Sequence, residues 1–316
     1  MTIDYKILVG APCTPEDADD IQKIIDLTFA QVNETYNNWN PHSEISLLNK
    51  LTANIPVKIS PQLEKLLQLI DEVFLLTEGR FDPTIAPLQK LWKQHLEKGH
   101  VPTKDEIEKT SPSIGWHNIH LKNGTFCKDH DDTSLDLGGI AKGLCVDLLV
   151  ENLNKNGYNN IYVEWGGEIR TTGQHPQNRP WQIFISNLGD PNPENAIDIL
   201  NISNHAIAAS GDYWQYWIVS DEGEPPSNKD IYTHIVDPLS KKALKISATS
   251  IASVNVLSSN CALADALATA TMLFPSKSEA SVWAEFIMKK KPETTFWIIS
   301  RQDIDNHSVD YKEKSL

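Results

Sequence analysis

The stretch Ser134-Leu135-Asp136-Leu137-Gly138-Gly139-Ile140-Ala141-Lys142-Gly143 decides how this chain reads. A strand-like segment runs into paired glycines, and a helical pattern begins directly behind them. Glycines let backbone N–H groups approach a ligand, a helix N-terminus attracts anions, and Lys142 adds positive charge. The spacing matches neither G-x-G-x-x-G nor G-x-x-x-x-G-K-[ST], so neither standard nucleotide loop is present. A tight strand-to-helix turn with Asp136 as a cap accounts for the same residues. The functional alternative makes Asp136 a ribose or adenine contact.

Working outward, Thr14-Pro15-Glu16-Asp17 is a helix start, with a hydroxyl cap, Pro at the first position and acids at the positive end of the dipole. Ile21, Ile24, Ile25, Thr28, Phe29 and Val32 then share one face. Ser60-Pro61 opens a second helix along Leu63, Leu66, Leu67, Ile70, Val73 and Phe74, which stops at Gly79. A third runs from about Gly139 to Leu153, with Gly157 as terminator. Two more cover about 261–274 and 278–288.

Strands lie at 7–9, at 161–165, at 181–185 and at 295–300. Residues 206–209 and 213–219 read as a hairpin arm and its neighbour. Ile246, Ala248, Ser250, Ala252, Val254 and Val256 alternate with polar residues, as in a half-buried strand. Strict βαβ alternation is absent, so the expected class is α+β, with a mixed sheet core flanked by helices. Residues 92–110 read as an exposed charged excursion and residues 221–230 as an acidic surface loop.

The chain has 316 residues, of which 40% are hydrophobic, with 28 Lys plus Arg against 42 Asp plus Glu, a formal charge of −14. That composition excludes a disordered chain, and the charge excludes a general nucleic-acid binder, because no surplus of cations is available to neutralise phosphates. The four cysteines are far apart, which argues against a cysteine zinc site and a disulfide framework. No apolar run approaches the ~20 residues that span a bilayer.

Three further segments are polar yet lie beside apolar runs. Gly79-Arg80-Phe81-Asp82-Pro83-Thr84 ends one helix and restarts the chain, with Asp82 as a cap or a ligand contact. Trp165-Gly166-Gly167-Glu168-Ile169-Arg170 is a hairpin turn with surface charges, or a strand end whose Glu168 and Arg170 face one side. In Ala264-Asp265-Ala266-Leu267-Ala268-Thr269, Asp265 and Thr269 are four apart and share one face of a small-residue helix. Burying such an Asp is costly without a partner, and a carboxylate plus a hydroxyl suits Mg²⁺ or Ca²⁺. His234 lies in a β-type run before Asp237-Pro238, as a structural histidine or as a general base near neutral pH.

Together these segments resemble the FAD:protein FMN transferases, the ApbE-type flavin transferases. The resemblance runs in order over most of the chain. It includes Trp39-Asn40-Pro41-His42-Ser43-Glu44-Ile45-Ser46-Leu47-Leu48-Asn49, Phe81-Asp82-Pro83-Thr84, the Asp136–Gly143 stretch (136–143), Gly166-Gly167-Glu168-Ile169-Arg170, Ser210-Gly211-Asp212-Tyr213, His234-Ile235-Val236-Asp237-Pro238 and Ala264-Asp265-Ala266-Leu267-Ala268-Thr269. It implies an ApbE-like, T-fold-like architecture in one domain over 1–316, with two closely packed subdomains as a variant.

The resemblance further implies Mg²⁺-dependent transfer of the FMN half of FAD to a Ser or Thr hydroxyl of an acceptor flavoprotein, such as a subunit of a membrane redox complex, with release of AMP. The metal would be held by Asp265, Thr269 and the carbonyl of Gly139. Val9, Trp39, Arg80, Phe81, Asp82, Asp136, Lys142 and Asp237 match FAD-contacting positions, and His234 matches the catalytic base. Trp39 stands where many members have Tyr, and Val9 where many have Met. Family precedent places such proteins on the periplasmic face of the inner membrane as lipoproteins. Met1 to Lys6 shows no basic region leading into an apolar one, so the alternative expectation is cytoplasmic. The rival functions are an FAD pyrophosphatase, in which water replaces the acceptor hydroxyl, and a flavin-binding protein without turnover.

Overall fold

Thr14 opens the first long helix as its sequence requires: its hydroxyl accepts the Asp17 N–H at 3.2 Å while the Asp17 carboxylate takes the Thr14 N–H at 2.8 Å. The computed structural model describes residues 4–188, 190, 192–213, 215–219 and 229–303. Most of the acidic segment 221–230 lies outside the described residues. The helices are α1 (Pro15–Thr35), α2 (Glu44–Asn49), α3 (Pro61–Leu76), α4 (Ala86–Leu96), α5 (Lys104–Thr110), α6 (Ala141–Lys155), α7 (Cys261–Thr271) and α8 (Lys277–Lys290). The α3 helix starts on the Ser60 hydroxyl and buries Leu63, Leu66, Leu67, Ile70 and Val73, the face its periodicity predicts.

The main sheet joins β1 (Tyr5–Val9), β5 (Ile161–Trp165), β6 (Glu168–Thr172), β9 (Ala206–Gly211), β13 (Ile251–Ser258) and β14 (Thr295–Ser300), in that spatial order. Smaller sheets combine β2 (Val57–Lys58) with β3 (Ile119–Lys122) and β4 (Thr125–Lys128), β7 (Trp181–Ile185) with β8 (Asp198–Ile202), and β10 (Tyr216–Val219) with β11 (Asp230–Asp237) and β12 (Lys242–Lys245). The α+β class holds, and the expected mixed sheet resolves into ladders that are all antiparallel among the described residues.

One face of the main sheet carries α6 and α7, whose backbones touch. A Cβ on Gly143 would lie 2.4 Å from the Cys261 carbonyl oxygen, so only glycine permits this approach. Asp147 of α6 accepts the Cys261 and Ala262 N–H groups at 2.9 Å each and pairs with Arg170 of β6 at 2.7 Å. A carboxylate from one helix thereby satisfies the orphan donors of the next. The opposite face is covered by β7 and β8, through Ile183, Ile185 and Ile202 packed on Ile169 and Ile207.

Three expectations need correction. Residues 92–110 are not an exposed excursion: Trp92 and Leu96 are buried with Leu88 against Val219, Val236 and Ala243, and α5 carries a Thr103–Glu106 capping box. The segments 206–209 and 213–219 are not neighbours in one sheet, because β9 joins β13 while β10 joins β11. The strand read at 246–256 begins only at Ile251, and Ile251 to Val256 is buried at every residue because both sheet faces are covered. Among the described residues no helix is long and apolar enough to cross a membrane.

Candidate active site

The site lies where the 134–143 turn, α7, the tip of β9 and the bulged middle of β11 converge. Leu135 to Leu137 has no strand partner, and two asparagines hold it instead. Asn49 bonds both backbone groups of Leu135, at 2.8 and 2.9 Å, while Asn38 donates to the Leu135 carbonyl at 2.6 Å and accepts the Leu137 N–H at 3.2 Å. Asn49 belongs to the quoted motif, but Asn38 escaped the sequence analysis because a surface asparagine carries no signature. Its neighbour Trp39 is 86% exposed, so the indole has no packing role of its own.

Gly139 faces α7. A Cβ there would lie 2.8 Å from the Thr269 hydroxyl and 3.2 Å from the Phe81 ring. The φ angle of Gly139 is not positive, so space rather than backbone conformation demands glycine. Thr269 in turn shares a 3.2 Å hydrogen bond with Ser210 at the end of β9. Asp265, one turn earlier in α7, is buried; its carboxylate accepts the Gly143 N–H at 3.2 Å. Burial raises its pKa, and the Lys142 charge partly offsets that.

Lys142 pairs with Glu168, the residue after the Gly166-Gly167 turn. The glycines do form a hairpin turn, with φ of +67° and +100°, but Glu168 is not a surface charge. It is fully buried and its Oε2 makes no hydrogen bond. Burial, with the Asp265 charge beside it, pushes the Glu168 carboxyl well above its ordinary value. Burial alone would lower the Lys142 ammonium, yet Asp265 and Glu168 together hold it above its usual value.

His234 lies between Tyr232 and Val236, where the β11–β12 register shifts, and such bulges re-aim side chains. Its Nδ1 is 3.3 Å from the Gln215 carbonyl oxygen. A carbonyl only accepts, so that contact favours the proton on Nδ1 and a free lone pair on Nε2. The imidazole reaches solvent but is walled by protein, and this desolvation holds its pKa below the ordinary 6.5. Asp136 and Lys142 are the charges that it senses. Asp136, whose pKa is raised by burial, takes the Gly138 N–H at 2.6 Å and donates its own N–H to the Pro83 carbonyl at 2.7 Å.

The predicted residues therefore divide. Gly139 lies against Thr269 and Phe81, Lys142 senses Asp265, and His234 senses Asp136 and Lys142, so these seven form one neighbourhood. Arg80, next to Phe81, stacks its guanidinium 4.3 Å from the Phe274 ring centroid. Asp82 is consumed by its own turn: Oδ1 takes the Thr84 N–H and hydroxyl at 2.9 and 2.6 Å, and Oδ2 takes the Trp116 N–H at 3.2 Å. Asp237 closes the β11–β12 turn through the Leu239 and Ser240 N–H groups at 2.9 and 3.1 Å. Val9 pairs with Ile161, four residues along the ladder from the Tyr5–Trp165 pair that adjoins Glu168, which is roughly 13 Å away at strand rise. Glu168 and Ser210, which lie in the quoted motifs, join this neighbourhood through Lys142 and Thr269. Among the described residues no group of three or more His, Cys, Asp or Glu side chains is placed to hold a metal ion.

The model of the ApbE family matches residues 1–293. The chain belongs to the ApbE family. It is 42% identical over 287 residues to the FAD:protein FMN transferase of Chlamydia pneumoniae, covering 90% of this chain and 86% of that one. It is 31% identical over 259 residues to the FAD:protein FMN transferase of Vibrio cholerae, covering 81% and 74%. The solved structure of the flavin transferase ApbE from Vibrio cholerae superposes with a TM-score of 0.71 at 27% identity, covering 95% of this chain and 99% of that one. The ApbE protein of Thermotoga maritima shares the fold, with a TM-score of 0.76 at 23% identity over 94% of each chain.

Proposed function

We propose that this chain is an Mg²⁺-dependent FAD:protein FMN transferase that joins the FMN half of FAD to a Ser or Thr hydroxyl of an acceptor flavoprotein and releases AMP. The observation that carries the reading is the meeting of a buried carboxylate (Asp265), a hydroxyl (Thr269) and an unhindered glycine backbone (Gly139), with an imidazole (His234) nearby.

In the proposed reaction the acceptor oxygen forms a bond to the phosphorus of the FMN half. The bond from that phosphorus to the bridging oxygen breaks, and AMP leaves with the electron pair. A Ser or Thr hydroxyl is a poor nucleophile at neutral pH, and the unprotonated Nε2 of His234 takes its proton. Lys142 supplies positive charge for the pyrophosphate, and Trp39 offers an open aromatic face to the flavin.

The chemistry of the donor set fits Mg²⁺. Asp265, Thr269 and the Gly139 carbonyl are all hard oxygen donors, and a side chain at Gly139 would crowd the Thr269 hydroxyl. Bound there, the ion would neutralise charge on the phosphate oxygens. Such a small protein ligand set leaves coordination positions for phosphate and water. The proposed acceptor class is a flavoprotein subunit of a membrane redox complex.

The test is intact-mass measurement of a candidate acceptor after incubation with this protein, FAD and Mg²⁺. A mass gain equal to FMN minus water, with AMP in equal amount, is the expected result. Complete FAD turnover without an acceptor would replace the reading with a pyrophosphatase. FAD binding with no AMP under any condition would replace it with a flavin-binding protein.

A further inference from the structure

Glu168 has no role in the reaction as described, yet it is fully buried, ion-paired with Lys142, and carries an oxygen without a hydrogen bond. A carboxylate taken out of water in this way is costly unless it balances charge. Lys142 faces two acids. Its ion-pair contact is with Glu168, while Asp265 acts on it from further off. Asp147, the other acid that Asp265 senses, is already neutralised by Arg170 at 2.7 Å. One ammonium is therefore shared between an acid in contact with it and a second acid further off.

We propose that Glu168 is a positioning residue that holds the Lys142 ammonium away from Asp265, so that the Asp265 carboxylate stays available to a divalent cation. Without Glu168, Lys142 has one acid left to pair with, and that acid is the proposed metal ligand. An ammonium paired with Asp265 competes with a divalent cation for the same carboxylate, and cation affinity falls. This inference rests on the metal reading of Asp265, Thr269 and Gly139.

The experiment is thermal unfolding of the FAD-free protein across an Mg²⁺ titration, since a ligand bound only to the folded state raises the melting temperature with its concentration. Glu168→Gln is expected to raise the half-maximal Mg²⁺ concentration at least tenfold. The double variant Glu168→Gln/Lys142→Met is expected to return it to within about threefold of wild type, because nothing then competes for Asp265. Lys142→Met alone is expected to bind Mg²⁺ more tightly than wild type, and it carries the test if Glu168→Gln does not fold. A Glu168→Gln protein with a lowered melting temperature but an unchanged Mg²⁺ midpoint would make Glu168 merely structural and overturn the inference, leaving the metal reading intact. Wild-type binding or weaker in Lys142→Met would overturn it too. No Mg²⁺-dependent shift in the wild type would overturn the metal reading and this inference together.

Discussion

Asp82 and Asp265 are both buried, both lie in motifs shared with flavin transferases, and both have pKa values raised by burial. Their surroundings differ. Asp82 accepts three hydrogen bonds from Thr84 and Trp116, all from its own turn and the loop beside it. Asp265 accepts one long bond from Gly143 and otherwise depends on the Lys142 charge. The first acid is satisfied by the fold and holds the fold together. The second has one long hydrogen bond and a nearby ammonium, so fewer of its lone pairs are committed to the fold.

Several variants test that contrast, the largest effect first. His234→Asn is expected to keep FAD binding and lose transfer by about 10²–10⁴-fold, the usual range for a general base. The lowered His234 pKa also sets the pH profile. The imidazole is neutral at pH 7 and above, so wild-type transfer should fall only on acidification below 6.5, and the residual His234→Asn rate should lack that limb. A wild-type acid limb above 6.5 would contradict this assignment. Gly139→Ala is expected to lower transfer by about a hundredfold, as a misplacement near 1 Å at a reacting centre does. Equal transfer rates for the two proteins would remove the crowding argument at Thr269. Asp82→Asn should cost about 1–3 kcal/mol of stability, because an amide cannot accept all three bonds, while transfer per folded molecule stays within severalfold. A large rate loss with an unchanged melting temperature would erase the contrast between the two acids.

The two glycine pairs carry the same lesson in smaller form. Gly166-Gly167 needs glycine for its positive φ angles, whereas Gly138-Gly139 does not. Gly139 is glycine because Thr269 and Phe81 are too close for a side chain. Identical dipeptides thus answer one local and one tertiary demand, and a sequence cannot tell them apart.

Much of the fold was legible where the controlling interactions are local. The Thr14 and Ser60 caps, the apolar faces of α1 and α3, and the span of β14 all depend on residues within a few positions of one another. The clustering of Asp136, Lys142, His234, Asp265 and Thr269 was legible only through the order of motifs in a resemblance. Burial decided at long range was not legible. Trp92 and Leu96 lie in a charged stretch, yet a distant three-stranded sheet covers them. The register of β1 places Val9 at the opposite end of its ladder from the Tyr5–Trp165 pair.

By itself the sequence determined the α+β class, the major helices and their caps, and the family to which the chain belongs, because caps, periodicity and ordered motifs are written residue by residue. Only the tertiary structure decided which charges are free to act. Glu168, readable as a turn-flanking surface charge, becomes a buried partner of Lys142; Asp82, read as a cap or a ligand contact, caps its own turn. The reason is that the state of an acid depends on which donors and cations surround it, and those come from elements far apart in the chain.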